Sequence, residues 1–150
     1  MKKYILLFSL FVITLSSCQK SDVTAQQAAV DDAKIQAYMK ANNLTLTKDP
    51  SGFYYKIITP GAAAHPIATS NVQVSYTNTY LNGIQFDHVN VVTYQLSTTI
   101  PALQLGLLKI GTGGRIYLIA PSALAYGNTS QYTVPANSIL IYTIDLIGYN

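Results

Sequence analysis

The sequence contains no glutamate and little charge of either sign. All six acidic residues are aspartates, and charged residues make up 10% of the 150 positions. Beyond residue 46 the only carboxylates are Asp49, Asp87 and Asp145. A hydrolase of the paired-carboxylate type needs two such groups flanking the scissile bond. Composition therefore leaves that class of enzyme possible but without support.

Cysteine, histidine and tryptophan are equally scarce. The chain has one cysteine, Cys18, two histidines, His65 and His88, and no tryptophan. The histidines lie in different predicted loops without further ligands nearby, so we expect neither a metal site nor a cofactor. The glycine-rich residues 111–114 follow a predicted helix and precede a strand, whereas phosphate-binding loops run from strand to helix. We interpret them as a turn.

The first residues have the pattern of an export signal. Lys2 and Lys3 precede an apolar run at residues 4–15, which is too short to span a bilayer. Leu15-Ser16-Ser17-Cys18 resembles the bacterial lipobox, in which the cysteine is lipidated and becomes the first mature residue. We expect residues 1–17 to be removed and Cys18 to anchor the protein in the cell envelope, at the outer membrane. An ordinary secretory signal with an incidental cysteine is the alternative.

The mature chain has almost no net charge. Lys2 and Lys3 belong to the predicted signal. The mature chain therefore keeps seven of the nine basic residues, together with all six acidic residues. No basic cluster remains, and we expect no nucleic-acid partner. The remaining length suits a single domain.

An alanine-rich segment precedes the main domain. Residues 18–24 predict a lipidated tether and residues 25–46 an N-terminal helical region. Within residues 23–42, alanines occur at every fourth position, at 29, 33, 37 and 41. Ile35 and Met39 are also four residues apart, and this spacing is typical of one face of a helix. The apolar stripe is weak, so we expect a spacer or packing element that is dispensable for folding, and a monomeric protein.

Residues 47–150 predict a β-rich domain. Strands are expected at 53–59, 72–80, 84–87, 115–120 and 139–147, with an Asn82-Gly83 hairpin and one helix at 100–110 that carries Pro101 in its first turn. This inventory predicts an α+β fold, a mostly antiparallel sheet with one short helix on one face. The twelve tyrosines of the chain are either core residues of these strands or the lining of an aromatic pocket.

Five segments within residues 52–147 resemble, in order, the signatures of FKBP-type peptidyl-prolyl isomerases. Val72-Gln-Val-Ser-Tyr76 and Asn82-Gly83-Ile-Gln-Phe86-Asp87 resemble "V-x-V-x-Y" and "D-G-x-x-F-D". Residues 94–101, 120–127 and 134–142 resemble "F-x-L-S-x-V-I-P", "I-P-S-x-L-A-Y-G" and "I-P-P-N-S-x-L-x-F". The segment at 51–61 and the preceding helix also resemble lipoprotein members from Bacteroidota.

The resemblance implies an FKBP-like curved antiparallel sheet wrapped over one short helix, with a pocket between them. It implies that Ile100, through its N–H, and Tyr126, through its hydroxyl, hydrogen-bond to ligand carbonyls. Tyr76 and Asp87 complete the implied catalytic set. The implied substrate-binding residues are Phe86, Tyr94, Thr99, Leu103, Val134 and Tyr142.

Several residues depart from the family pattern. Leu103 stands where the family has the pocket-floor tryptophan. Ala102 and Asn78 each replace a glycine, and Tyr142 replaces a phenylalanine. The resemblance implies isomerisation of X–Pro bonds in envelope polypeptides, without metal or cofactor. The alternatives are a non-catalytic peptide-binding or chaperone lipoprotein and an envelope structural lipoprotein.

Overall fold

The computed structural model describes residues 19–150, with side chains from Thr24 onward. The predicted signal and Cys18 lie outside the described residues. Helix α1 spans Gln19–Ala41 and α2 spans Pro101–Leu107. The strands are β1 (Thr47–Lys48), β2 (Tyr54–Thr59), β3 (Asn71–Tyr80), β4 (Gln85–Gln95), β5 (Gly114–Ala120) and β6 (Leu140–Tyr149). Neither helix in this part of the chain has the length and apolarity needed to cross a membrane.

The six strands form one antiparallel sheet in the order β1-β2-β5-β6-β3-β4. Register shifts interrupt the β3–β4 ladder between Val74 and Tyr76 and again between Asn78 and Thr79. Extra residues of this kind bend a strand and increase its twist. The main core lies on the sheet face that α2 covers and includes Val72, Leu118 and Leu140. The predicted α+β architecture, an antiparallel sheet with one short helix on one face, is confirmed.

Close packing places α2 on the sheet. Pro101 occupies the first helical turn, as predicted, where its missing N–H costs no hydrogen bond. A Cβ atom added at Gly106 would lie 2.8 Å from Leu118 Cδ2, so a larger residue here would require the Leu118 side chain to shift. The helix ends at Leu107, three residues before the predicted end.

β4 differs most from the sequence prediction. The expected return strand at 84–87 is the first part of an eleven-residue strand at the edge of the sheet. Exposed and partly buried residues alternate along most of β4, but the register shift places two exposed residues, Asn90 and Val91, in succession. This interruption hides the strand pattern in the sequence. The preceding turn is hydrogen-bonded from Gly83 N–H to the Tyr80 carbonyl, and only Gly83 of the Asn-Gly pair has a positive φ.

α1 is a structural part of the domain. It begins at Gln19, inside the segment predicted to be a tether. The alanine stripe is exposed, and the buried positions of α1 are Asp31 and Ile35. Ile35 is fully buried in a second core, on the opposite face of the sheet from α2, together with Tyr54, Ile119, Ile139 and Ile141. The expectation of a dispensable spacer therefore conflicts with this packing.

Candidate active site

Two strands bring a hydrogen-bonded chain of two tyrosines and an aspartate together. Tyr76 on β3 lies 3.0 Å, oxygen to oxygen, from Asp87 Oδ2 and 3.1 Å from the Tyr94 hydroxyl, both on β4. A phenol donates one hydrogen, so the order Tyr94 to Tyr76 to Asp87 satisfies both contacts. Burial raises the pKa of Tyr76, and its hydrogen bonds to Tyr94 and Asp87 raise it further. Tyr76 therefore remains a protonated donor that holds the carboxylate in place.

Tyr126 lies on a tight loop that follows β5. Its hydroxyl has no hydrogen-bond partner among residues 24–150. Burial raises the pKa of this phenol, and the nearby Asp87 and Tyr94 contribute to the same shift. The loop thus brings a neutral hydroxyl donor within electrostatic range of the Tyr76–Asp87 pair.

The N-terminus of α2 supplies a second donor. Ile100 is the N-cap residue, and its own N–H donates to no acceptor in the described chain. The carbonyl of the same peptide unit, that of Thr99, accepts a 2.7 Å hydrogen bond from Gln104 Nε2. Gln104 therefore fixes the orientation of this peptide. Nothing in the sequence pattern singled out Gln104, since a side chain that bonds a backbone carbonyl five residues earlier leaves no periodic signal.

Apolar and aromatic side chains surround these donors. Phe86 packs against Tyr80 with ring centroids 4.6 Å apart, and the Tyr80 hydroxyl donates to the Thr133 carbonyl, next to the buried Val134. The partly buried members of the predicted set that pack on the main core are Tyr76, Phe86, Tyr94, Ile100, Leu103 and Tyr126, while Val134 and Tyr142 belong to the core itself.

The deepest part of the site carries polar groups. Tyr142 on β6 is 3% exposed, and burial raises its pKa, with Tyr126 and Asp87 adding to the rise. Asn78 on β3 is the cross-strand neighbour of both Asp87 and Tyr142. It is 4% exposed, and its Oδ1 has no hydrogen-bond partner within the described part of the chain. Asn78 was noted in the sequence as a departure but not predicted as a site residue.

This arrangement suits binding and reorientation of a peptide more than bond cleavage. It offers an apolar, aromatic surface and two fixed donors, Ile100 N–H and Tyr126 Oη. No cluster of three or more histidine, cysteine, aspartate or glutamate side chains occurs among residues 19–150. A reaction that needs only desolvation and hydrogen bonds is compatible with these groups.

Comparison with known proteins supports a single family. Residues 63–147 match the model of the FKBP-type peptidyl-prolyl cis-trans isomerase. The chain is 30% identical over 129 residues to the FKBP-type peptidyl-prolyl cis-trans isomerase FkpA of Aeromonas hydrophila, covering 82% of this chain and 48% of that protein. It is 33% identical over 130 residues to the outer membrane protein MIP of Legionella longbeachae, covering 82% and 56%. The chain thus spans about half the length of these relatives.

Solved structures show the same architecture. The crystal structure of FkpA from Escherichia coli matches with a TM-score of 0.74 and 26% identity, covering 87% of this chain and 64% of that one. AtFKBP13 matches with a TM-score of 0.63 at 23% identity, covering 71% and 99%, and this likeness concerns the fold alone. The family match covers more than half of the sequence and includes the tyrosine cluster. The chain therefore belongs to the family of FKBP-type peptidyl-prolyl cis-trans isomerases.

Proposed function

We propose that this protein catalyses cis-trans isomerisation of X–Pro bonds in envelope polypeptides. The observation that carries the proposal is a pair of donors, Ile100 N–H and Tyr126 Oη, that have no acceptor in the described part of the chain and border one aromatic cluster. A bound peptide supplies backbone carbonyls to both. Tyr76 holds Asp87 beside them by a 3.0 Å hydrogen bond.

The chemistry requires no proton transfer and no covalent step. Amide resonance sets a barrier of about 18–20 kcal/mol to rotation. The catalyst has to bind the twisted amide better than either planar isomer. Because twisting removes resonance and reduces charge on the amide oxygen, an apolar site favours it, while fixed donors orient the flanking peptide.

A protease-coupled isomerisation assay on residues 19–150, which retain α1, tests the proposal. We expect the wild-type chain to accelerate isomerisation of several X–Pro peptides and Tyr126→Phe to lower kcat/KM about fivefold, since a neutral hydrogen bond contributes about 1 kcal/mol. Tyr55→Phe on β2 is the matched control, because Tyr55 packs on the same core without lying in the predicted site. A Tyr126→Phe variant as active as wild type would contradict the assigned role.

A non-catalytic peptide-binding module is the second candidate. Leu103 in place of the family tryptophan favours it, because leucine keeps the floor apolar but offers no flat surface to orient a proline ring. Peptide binding without rate enhancement would select this function. A folded chain that neither binds nor catalyses would leave the tyrosines as structural residues.

We further propose that lipidated Cys18 anchors the protein at the outer membrane, where it acts as a monomer on proline-containing polypeptides. The lipobox-like residues 15–18 support the anchor, and the name of the matched relative MIP, an outer membrane protein, supports the location. In the native host, Cys18→Ala should abolish labelling by a fatty-acid analogue and release the protein from the membrane fraction. Unchanged fractionation would contradict the anchor.

A further inference from the structure

One carboxylate of α1 is completely buried, and no cationic side chain within residues 24–150 bonds to it. Asp31 is 0% exposed. Its Oδ1 accepts a 2.8 Å hydrogen bond from Gln27 Nε2, and its Oδ2 accepts two from Ser122, 2.8 Å from the backbone N–H and 2.6 Å from Oγ. A buried charge is expensive unless donors satisfy it. The two bonds from Ser122, 91 residues away in sequence, therefore form a strong link between α1 and the loop after β5.

Ser122 in turn organises the loop that carries Tyr126. The Ser122 carbonyl accepts hydrogen bonds from Ala125 N–H at 3.0 Å and Gly127 N–H at 2.8 Å, the residues on either side of Tyr126. Thus Asp31 holds the N–H and hydroxyl of Ser122, and Ser122 holds the backbone on both sides of the tyrosine. The path from α1 to Tyr126 is a continuous set of hydrogen bonds.

An open groove lies beside this contact. A surface groove of about 330 Å³ separates part of α1 from the loop, bordered by Ala28, Pro121 and Leu124. The fully buried apolar side chain of α1, Ile35, lies one turn further along and packs on β2, β5 and β6 rather than on the loop. Among the described residues, the bonds from Ser122 to Asp31 are the hydrogen bonds that join the loop to α1.

We propose that Asp31 is a positioning residue for the active site, holding Tyr126 in place through Ser122. The inference rests on the proposed isomerase function for its kinetic consequence. It also explains why an aspartate occupies a fully buried position of α1, and it makes α1 part of the catalytic unit.

The test is a double-mutant cycle on residues 19–150 with Asp32→Asn as the matched control. Asp32 is the neighbouring carboxylate and borders the same groove as Pro121 and Leu124. Among the described residues its hydrogen bonds go to Gln36, Lys48 and Tyr54 and not to the loop. We expect Asp31→Asn to lower kcat/KM about threefold, no more than Tyr126→Phe does, and Asp32→Asn to leave it unchanged. In the Tyr126→Phe background, Asp31→Asn should cause no further loss, because the group it positions is already gone.

Amide hydrogen exchange separates this inference from the proposed function. Asp31→Asn should accelerate exchange at Ala125 and Gly127, and Asp32→Asn should not. Unchanged exchange at these amides overturns the inference whether or not the protein is an isomerase. Equal loss from Asp31→Asn in both Tyr126 backgrounds also overturns it, since the aspartate then acts on stability alone. If the wild-type chain is inactive but Asp31→Asn still accelerates exchange at Ala125 and Gly127, the isomerase function is refuted and the positioning role of Asp31 stands.

Discussion

Asn78 is a buried polar residue among the mainly apolar side chains of the site. It lies between Asp87 and Tyr142 across the sheet, and its buried Oδ1 has no partner within residues 24–150. A buried acceptor without a donor costs about 1–3 kcal/mol of folding free energy. The departures Asn78 and Tyr142 therefore make the most buried part of the site more polar, while Leu103 keeps an apolar side chain where the family has a tryptophan.

Replacing Asn78 with an apolar residue of the same branched shape should stabilise the fold. We expect Asn78→Leu to raise the free energy of unfolding by about 1 kcal/mol, because it removes the unpaired Oδ1 and keeps the number of side-chain heavy atoms. Urea denaturation followed by circular dichroism measures this change. Thr79→Leu, the next residue on β3, serves as control and should show no gain. A destabilised Asn78→Leu would mean that the amide has a partner in solution.

At the scale of elements, α1 shows where pattern analysis fails. The spacing-of-four alanines predicted a weak contact face, yet that face is exposed, and the buried one contains Asp31 and Ile35. The spacing of Ile35 and Met39 marked the side of α1 that packs on the second core. Asp31 lies on that side too and weakens the apolar periodicity, so the sequence did not show how fully α1 is packed against the domain. By contrast, the α2 start at Pro101 was predictable because local turn chemistry determines it.

Ile35 should therefore matter to stability as much as a residue of the main core. It is fully buried against Tyr54, Ile119 and Ile141. We expect Ile35→Ala to lower the free energy of unfolding by about 2–4 kcal/mol through lost apolar contact and a residual cavity. Val30→Ala on the same helix is the control, since Val30 is 42% exposed. Chemical denaturation measures the free energy of unfolding of both variants. Equal, small losses in the two would mean that α1 acts only as a spacer.

For the whole molecule, the sequence predicted the fold because five motifs occur in the order of the strands and turns that carry them. The roles of the site residues stay a prediction, although the structure brings Tyr76, Asp87 and Tyr94 into one hydrogen-bonded chain. Contacts between distant segments, such as Asp31 with Ser122, were not predictable, because each partner is an ordinary polar residue in its own segment. A second such contact joins Asp49, in the β1–β2 turn, to Lys109 after α2, at 2.8 Å.

The Asp49–Lys109 contact should make the domain sensitive to acid. Burial opposes ionisation of Asp49, but hydrogen bonds from Lys109 and Ser51 lower its pKa from 3.8 to about 2. Because the pKa is lower in the folded state, the contribution to stability is complete above about pH 4 and is lost as the pH falls towards 2. Asp49→Asn should thus cost about 1 kcal/mol at pH 7, with the difference from wild type vanishing near pH 2. Thermal unfolding between pH 2 and 7 measures this difference.

Asp145→Asn, which breaks the exposed pair with Arg115, is the control and should have little effect at any pH. A loss in Asp49→Asn that is independent of pH would show that the side chain acts through packing and not through its charge.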